Sequence, residues 1–226
     1  MSLTIQKLAP LLAYQVVDVE IDRQTDNYYQ KLVEECAPRL GLYHKYWGLL
    51  HDSWFISTKL TKGKFSIRLN DFTTHVFSDV VVARNGLKID HDKLVFPIEI
   101  EFEITNVTYN TIDEDGTIHQ IAPTKVHEYL YEQIISVNED TIDIGLMVWK
   151  NRRKNKPGGY ILILISAKKC TLREHQDQAW TEIFGNTYDD LYAYFRTQFN
   201  AGRYLSDQTV CDTLYSEYEL LHRGIE

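Results

Sequence analysis

Residues 98–104 read Ile-Glu-Ile-Glu-Phe-Glu-Ile, a strict alternation of apolar and acidic side chains. Successive side chains of a β-strand point to opposite faces. The run therefore sorts Ile98, Ile100, Phe102 and Ile104 onto one face and Glu99, Glu101 and Glu103 onto the other. On a helix the same residues would scatter around the whole circumference. A strand with one apolar and one charged face belongs to an antiparallel sheet that covers a core on one side. Pro97 offers no N–H to a ladder and belongs at a strand start, a bulge or a sheet edge.

The same period recurs elsewhere. Residues 65–70, Phe-Ser-Ile-Arg-Leu-Asn, alternate as well, and Gly63 before them marks a hairpin turn from a strand over 54–60. Residues 14–21, 76–83 and 117–121 also read as strands, the second for its β-branched content. Asn85-Gly86 and Asp115-Gly116 supply turns beside them. Residues 126–137 fit two periods. Val126, Tyr129, Leu130, Ile134 and Val137 have helical spacing, while Tyr129, Tyr131, Gln133 and Ile135 would share one face of a strand. A strand is preferred, because two strong strands follow over 141–150 and 160–168, after turn signals at Asn138-Glu139-Asp140 and Pro157-Gly158-Gly159.

Helical spacing appears at both ends. From about Asp26, with Thr25 or Asp26 as cap, Tyr28, Tyr29, Leu32, Val33 and Cys36 form the apolar face of a helix that Pro38 should end or kink, unless it starts the next helix at its first turn. Tyr43, Tyr46, Trp47 and Leu50 continue the stripe. Thr171 and Glu174 read as a capping box for a helix that buries Ala179, Trp180, Ile183 and Phe184 and closes at Gly185. Thr187 opens a second helix with Leu191, Tyr194, Phe195 and Phe199 inward, broken by Gly202. Ser206 or Asp207 opens a third, with Val210, Leu214, Tyr218 and Leu221 in line. A run of strands followed by a run of helices gives an α+β fold, with a large antiparallel β-sheet or partly closed barrel, N-terminal helices and a C-terminal three-helix region. A single domain over 1–226 is expected, mostly sheet to about 170 and helical from about 171.

Charge and cysteine content narrow the function classes. A net charge of -8 repels phosphate backbones and counts against nucleic acid as a partner. The longest dense apolar run, Tyr160 to Ala167, is too short to span a bilayer, so no membrane partner is expected. Cys36, Cys170 and Cys211 are odd in number, widely spaced and without a CxxC pair, which fits reduced thiols and no disulfide. The opening Met1-Ser2-Leu3 shows no charged-then-apolar leader, and a cytoplasmic location is expected.

Familiar catalytic patterns are missing. The 8 histidines form no HxH, HxxxH or HExxH spacing, and there is no GxSxG elbow, P-loop or GxGxxG. His51-Asp52 is a pair that metal-dependent phosphohydrolases of the HD class use on an all-helical scaffold; here it sits at a helix-to-strand junction and reads as a turn. Asp90-His91-Asp92 reads as a solvated turn. Asp113-Glu114-Asp115-Gly116 lacks the ligand spacing and flanking helices of an EF-hand. Lys150, Arg152, Arg153, Lys154 and Lys156 form a basic hairpin loop.

The glutamate ladder is the most distinctive polar feature. Glu99, Glu101 and Glu103 repel one another unless cations compensate, and Arg68, Lys59, Lys62 or Lys64 are candidates to do so. Triphosphate tunnel enzymes place ExExK on an N-terminal strand, to hold metal and polyphosphate inside a barrel. This chain has ExExE in mid-chain, with Glu103 where the lysine belongs. Two functions follow. The leading one is a non-enzymatic binding or interaction module, built on a surplus of tyrosine (Tyr 15) and the missing catalytic patterns, which neutralises or scaffolds another protein and needs no cofactor. The alternative is a metal-dependent enzyme acting on a phosphorylated small molecule, with Mg or Mn on Glu99, Glu101 and Glu103 and Arg68 on the phosphate.

Overall fold

The computed structural model describes residues 11, 23–90, 93–113, 117–151 and 158–223. The expected strand over 14–21, the His91-Asp92 part of the acidic turn, Glu114-Asp115-Gly116, and the basic residues Arg152, Arg153, Lys154 and Lys156 lie outside the described residues. The chain divides into two compact units, one of Met1–Leu69 and Glu99–Arg173, the other of Asn70–Ile98 and Glu174–Glu226. Cys36, Cys170 and Cys211 are free and buried.

The first unit holds helix α1 (Arg23–Leu40), a 3-10 segment (Gly41–Tyr46) and nearly all of a seven-stranded antiparallel sheet. Its strands are β1 (Trp54–Thr61), β2 (Lys64–Asn70), β3 (Pro97–Ile112), β4 (Ile118–Ile121), β5 (Glu128–Val137), β6 (Ile142–Lys150) and β7 (Gly159–Glu174). The order is β2-β1-β5-β6-β7-β3-β4, and β2 also pairs with β3. Six strands thus make a circuit, with β4 as a hairpin extension of β3. The circuit is thin at one place, since β1 meets β5 in register only at Trp54↔Glu128.

Register shows why β6 and β7 are apolar on both faces. Ile144, Leu146 and Val148 oppose Ile165, Ile163 and Ile161, and all six are buried. On the other face Met147 opposes Leu162, and both pack with Leu130 and Leu11. A side chain at Gly145 would place its Cβ 2.6 Å from Leu11 Cδ1, so this glycine makes room for the covering leucine. The preference for a strand over 126–137 holds, but its faces differ from simple alternation. A bulge between Tyr129 and Tyr131 sets Tyr129, Glu132 and Ile134 opposite Val148, Leu146 and Ile144, while Tyr131 and Gln133 oppose Met147 and Gly145. One extra residue in a strand reverses every later side chain, which overturns the shared face of Tyr129, Tyr131, Gln133 and Ile135.

The second unit contains helices α2 (Phe72–Arg84), α3 (Gln176–Phe184), α4 (Asp189–Asn200) and α5 (Gln208–Arg223). Residues 76–83 are helix, not strand. Asp71 decides this locally, because its buried carboxylate accepts from the Thr73 N–H at 3.0 Å and the Thr74 hydroxyl at 2.7 Å and so caps the first turn. The helix is buried on nearly every side, which removes the amphipathic period that would have revealed it. The capping box at Thr171 is also corrected. β7 runs on to Glu174, with Cys170 and Leu172 carrying its buried alternation, and α3 starts at Gln176.

Trp180 is the anchor of this unit. Its ring centroid lies 4.3 Å from Phe184, 4.8 Å from Tyr192 and 5.6 Å from Phe77. In α4 the buried set is Leu191, Tyr192, Phe195 and Phe199, with Tyr192 in place of Tyr194. In α5 Asp207 caps by accepting from the N–H groups of Thr209 and Val210 at 2.7 and 3.1 Å. The buried stripe there is Cys211, Leu214 and Tyr215, and Leu221 is exposed. Arg84 ties α2 to α5 by donating to Asp212 O and Ser216 Oγ, both at 3.0 Å, and lies over the Tyr215 ring.

Candidate functional site

The glutamate ladder takes the outer face of β3 while Ile98, Ile100 and Phe102 are buried on the inner one. Lysines of both neighbouring strands reach it. Lys64 of β2 pairs with Glu101 at 2.8 Å, and Lys168 and Lys169 of β7 approach Glu103 at 3.9 and 3.4 Å. Lysine thereby offsets the charge of two of the three carboxylates, Glu101 and Glu103. Glu99 is half-buried, and Arg68 is exposed with no ion pair among the described residues, so Arg68 does not join the ladder. No group of three or more His, Cys, Asp or Glu side chains is arranged to hold a metal ion among the described residues.

A second cluster surrounds the start of β5, which sequence reasoning passed over. Tyr43 of the 3-10 segment and Tyr129 of β5 are buried and share a hydrogen bond of 2.6 Å between their hydroxyls. Tyr129 also bonds the Glu132 carboxylate, and Gly48 N–H donates to Glu132 Oε1 at 2.6 Å. Glu132 keeps partial contact with solvent, but protein packs closely around its carboxylate. Burial pushes its pKa up to about 7, against the opposing effect of the hydrogen bonds from Gly48 and Tyr129. Both phenols are held well above their ordinary range, first by burial and then by the nearby Glu132. The only sequence signal for this cluster was a glutamate among the apolar residues of a strand, and the bulge hid which face it takes.

Next to it, His51 Nδ1 meets Asp52 Oδ2 at 2.8 Å, and His51 Nε2 lies 3.0 Å from the Tyr131 hydroxyl. Glu128 bonds Asp52, and burial, followed by the Asp52 charge, raises its carboxyl above the usual range. Asp52 adopts φ 66, a left-handed conformation uncommon outside glycine, where the chain turns into β1. The Asp52 N–H donates to Tyr129 O at 2.9 Å, which fixes this turn on β5. The pair is thus a turn element in contact with Tyr131. An open cleft elsewhere is lined by Thr105, Asn138, Glu139, Asp140, Thr141 and Lys168, whose amine already approaches Glu103.

The third feature is the strip along β1. Trp54, Ile56 and Leu60 are 62%, 41% and 50% exposed. They alternate with period two, and Thr58 between them bonds Tyr109. Lys59 and Lys62 are exposed on the same hairpin, Arg68 lies on the adjoining β2, and none of the three has an ion pair among the described residues. No described helix is long and apolar enough to cross a membrane. No family model, curated protein or solved structure matches this chain.

Proposed function

We propose that the chain is a non-enzymatic protein-binding module that uses the β1 strip to hold an acidic partner. The observation that supports it is the row of exposed Trp54, Ile56 and Leu60 flanked by the cations Lys59, Lys62 and Arg68. Contiguous exposed apolar side chains on a strand are a marker of interaction surfaces, and tryptophan is enriched at binding hot spots. The chain as a whole is acidic at -8, so three cations on one hairpin without an ion pair among the described residues call for charge from outside the chain. The lysine pairs on Glu101 and Glu103 are those of a solvated sheet face.

Panning a random dodecapeptide display library on the protein tests this reading. The counter-target is the variant carrying Trp54→Ser, Ile56→Ser and Leu60→Ser, checked for an unchanged fold by circular dichroism. Peptides combining apolar and acidic residues should be enriched on the wild type and lost on the variant. Failure to enrich any peptide, or equal retention by the variant, would refute it.

A further inference from the structure

We propose that the seam between β1 and β5 is a proton-controlled gate. It is closed while Glu132 and the Glu128–Asp52 pair hold their protons, and it opens at the turn Gly48–Ser53 as they release them. The seam is thin. β6 and β7 pair continuously from Ile142↔Ala167 to Lys150↔Gly159, whereas β1 meets β5 in register only at Trp54↔Glu128. Around that pair, Tyr129 N–H donates to Ser53 O at 2.8 Å, Asp52 N–H to Tyr129 O at 2.9 Å and Phe55 N–H to His127 O at 2.8 Å. Few bonds need to break there, which favours local opening over opening elsewhere in the sheet. Asp52 at φ 66 adds backbone strain that opening relieves.

The side chains that tie the turn to β5 depend on protons. Glu128 of β5 bonds Asp52 of the turn, and two carboxyls bond each other only through a proton that one of them carries. Ionising both leaves like charges side by side. Glu132 is the second tie, because its closely packed carboxyl takes the Gly48 N–H at 2.6 Å. The groups around it stay neutral: Tyr129 of β5, Tyr43 of the 3-10 segment, and behind Tyr43 the thiols Cys170 of β7 and Cys36 of α1, all raised by burial. β6 sets Leu146 opposite it. His44 of the 3-10 segment turns to Glu34 at 3.5 Å, Lys45 is exposed, and His51 meets Asp52 and Tyr131 at 2.8 and 3.0 Å. With no cation paired to Glu132 among the described residues, water admitted by opening is what stabilises its charge. Burial holds its carboxyl at about 7 when closed, and solvation returns it to 4.5 when open. Closure is therefore complete below 4.5 and weakens as pH rises through about 7. Glu128, raised by burial and then by the Asp52 charge, acts in the same direction.

Amide hydrogen exchange by NMR on the full chain, with intrinsic rates divided out, tests the gate. From about pH 5 to about pH 8, the opening constant read at Gly48, Asp52, Ser53 and Tyr129 should rise by up to about 70-fold and level off above about 7. Amides of β6 bonded to β7 should exchange more slowly at every pH. Glu132→Gln should cut the rise at least about fivefold, and adding Glu128→Gln should abolish what is left. His51→Asn should leave the rise in place. A wild-type rise below about fivefold, one that Glu132→Gln cuts by less, or one that His51→Asn abolishes would overturn the gate. Turn amides that exchange no faster than those of β6 would show that the seam opens only with global unfolding, and would also overturn it. Should Glu132→Gln not fold, the wild-type rise and its levelling near pH 7 decide alone.

Discussion

The Gly48 N–H donates to the Glu132 carboxylate at 2.6 Å, and no cation pairs with that carboxylate among the described residues. It also accepts from the Tyr129 hydroxyl, itself bonded to Tyr43, and from its own backbone N–H. A charge held this way is stabilised by hydrogen bonds alone, and burial outweighs them, so the carboxyl is raised from 4.5 to about 7. Between those two values the folded protein keeps a proton that the unfolded chain has released. The stabilisation is complete below the unfolded value and is lost as pH rises through about 7.

Glu132→Gln removes this titration and keeps an amide oxygen for Gly48. Its stability should vary less with pH than that of the wild type. Near pH 8 the variant should be the more stable protein, by at most about 3 kcal/mol, a ceiling that partial solvent contact lowers. Urea unfolding of both proteins at about pH 5 and about pH 8 measures the difference. A variant equally destabilised at both would show that Glu132 is not the titrating group.

Trp180→Ala should cost about 3–5 kcal/mol, because the indole is buried against Phe77, Phe184 and Tyr192. A loss below ~1 kcal/mol in denaturant unfolding would contradict the packing of the second unit.

The legible parts of the fold were those whose pattern is local. The alternation from Ile98 revealed β3 and the outward glutamates, and of the three places open to Pro97 it takes the strand start. Gly63, with φ 76, turned β1 into β2 at the expected place. Residues 76–83 were misread because β-branched side chains suit strands, while the deciding interaction, the Asp71 cap with Thr73 and Thr74, lies ahead of them. The end of β7 was misread because Lys168-Lys169 interrupts the apolar run, although Cys170 and Leu172 resume it. The Glu132 cluster depends on which strands become neighbours across the sheet. Sequence alternation carries no such information.

Glu101 holds Lys64 at 2.8 Å and Glu103 lies 3.4 Å from Lys169, so two of the three ladder carboxylates already have a cation beside them. Millimolar manganese or magnesium should leave the melting temperature unchanged, and Glu101→Gln should cost no more than ~1 kcal/mol, as for an exposed ion pair. A metal at a hundred times its dissociation constant would stabilise by about 2.7 kcal/mol. A manganese-dependent rise of that size in the wild type, absent in Glu101→Gln, would instead establish a metal site on β3.

Gly145→Ala should destabilise by about 1 kcal/mol, because its Cβ would meet Leu11 Cδ1 at 2.6 Å and Ile135 Cδ1 at 3.0 Å, both movable side-chain ends. In a Leu11→Ala background the same change should cost less, giving a double-mutant coupling of opposite sign to the single loss. Additive effects would place Leu11 away from β6.

Chemical-shift mapping of an enriched peptide on the 15N-labelled protein tests the binding strip most directly. The largest backbone shifts should fall within Trp54–Thr61, together with the Trp54 indole signal, and smaller ones should reach Arg68. Shifts centred on Glu99–Glu103, on the cleft at Asn138–Thr141, or on the Tyr43–Tyr129–Glu132 cluster with β1 unmoved would contradict it.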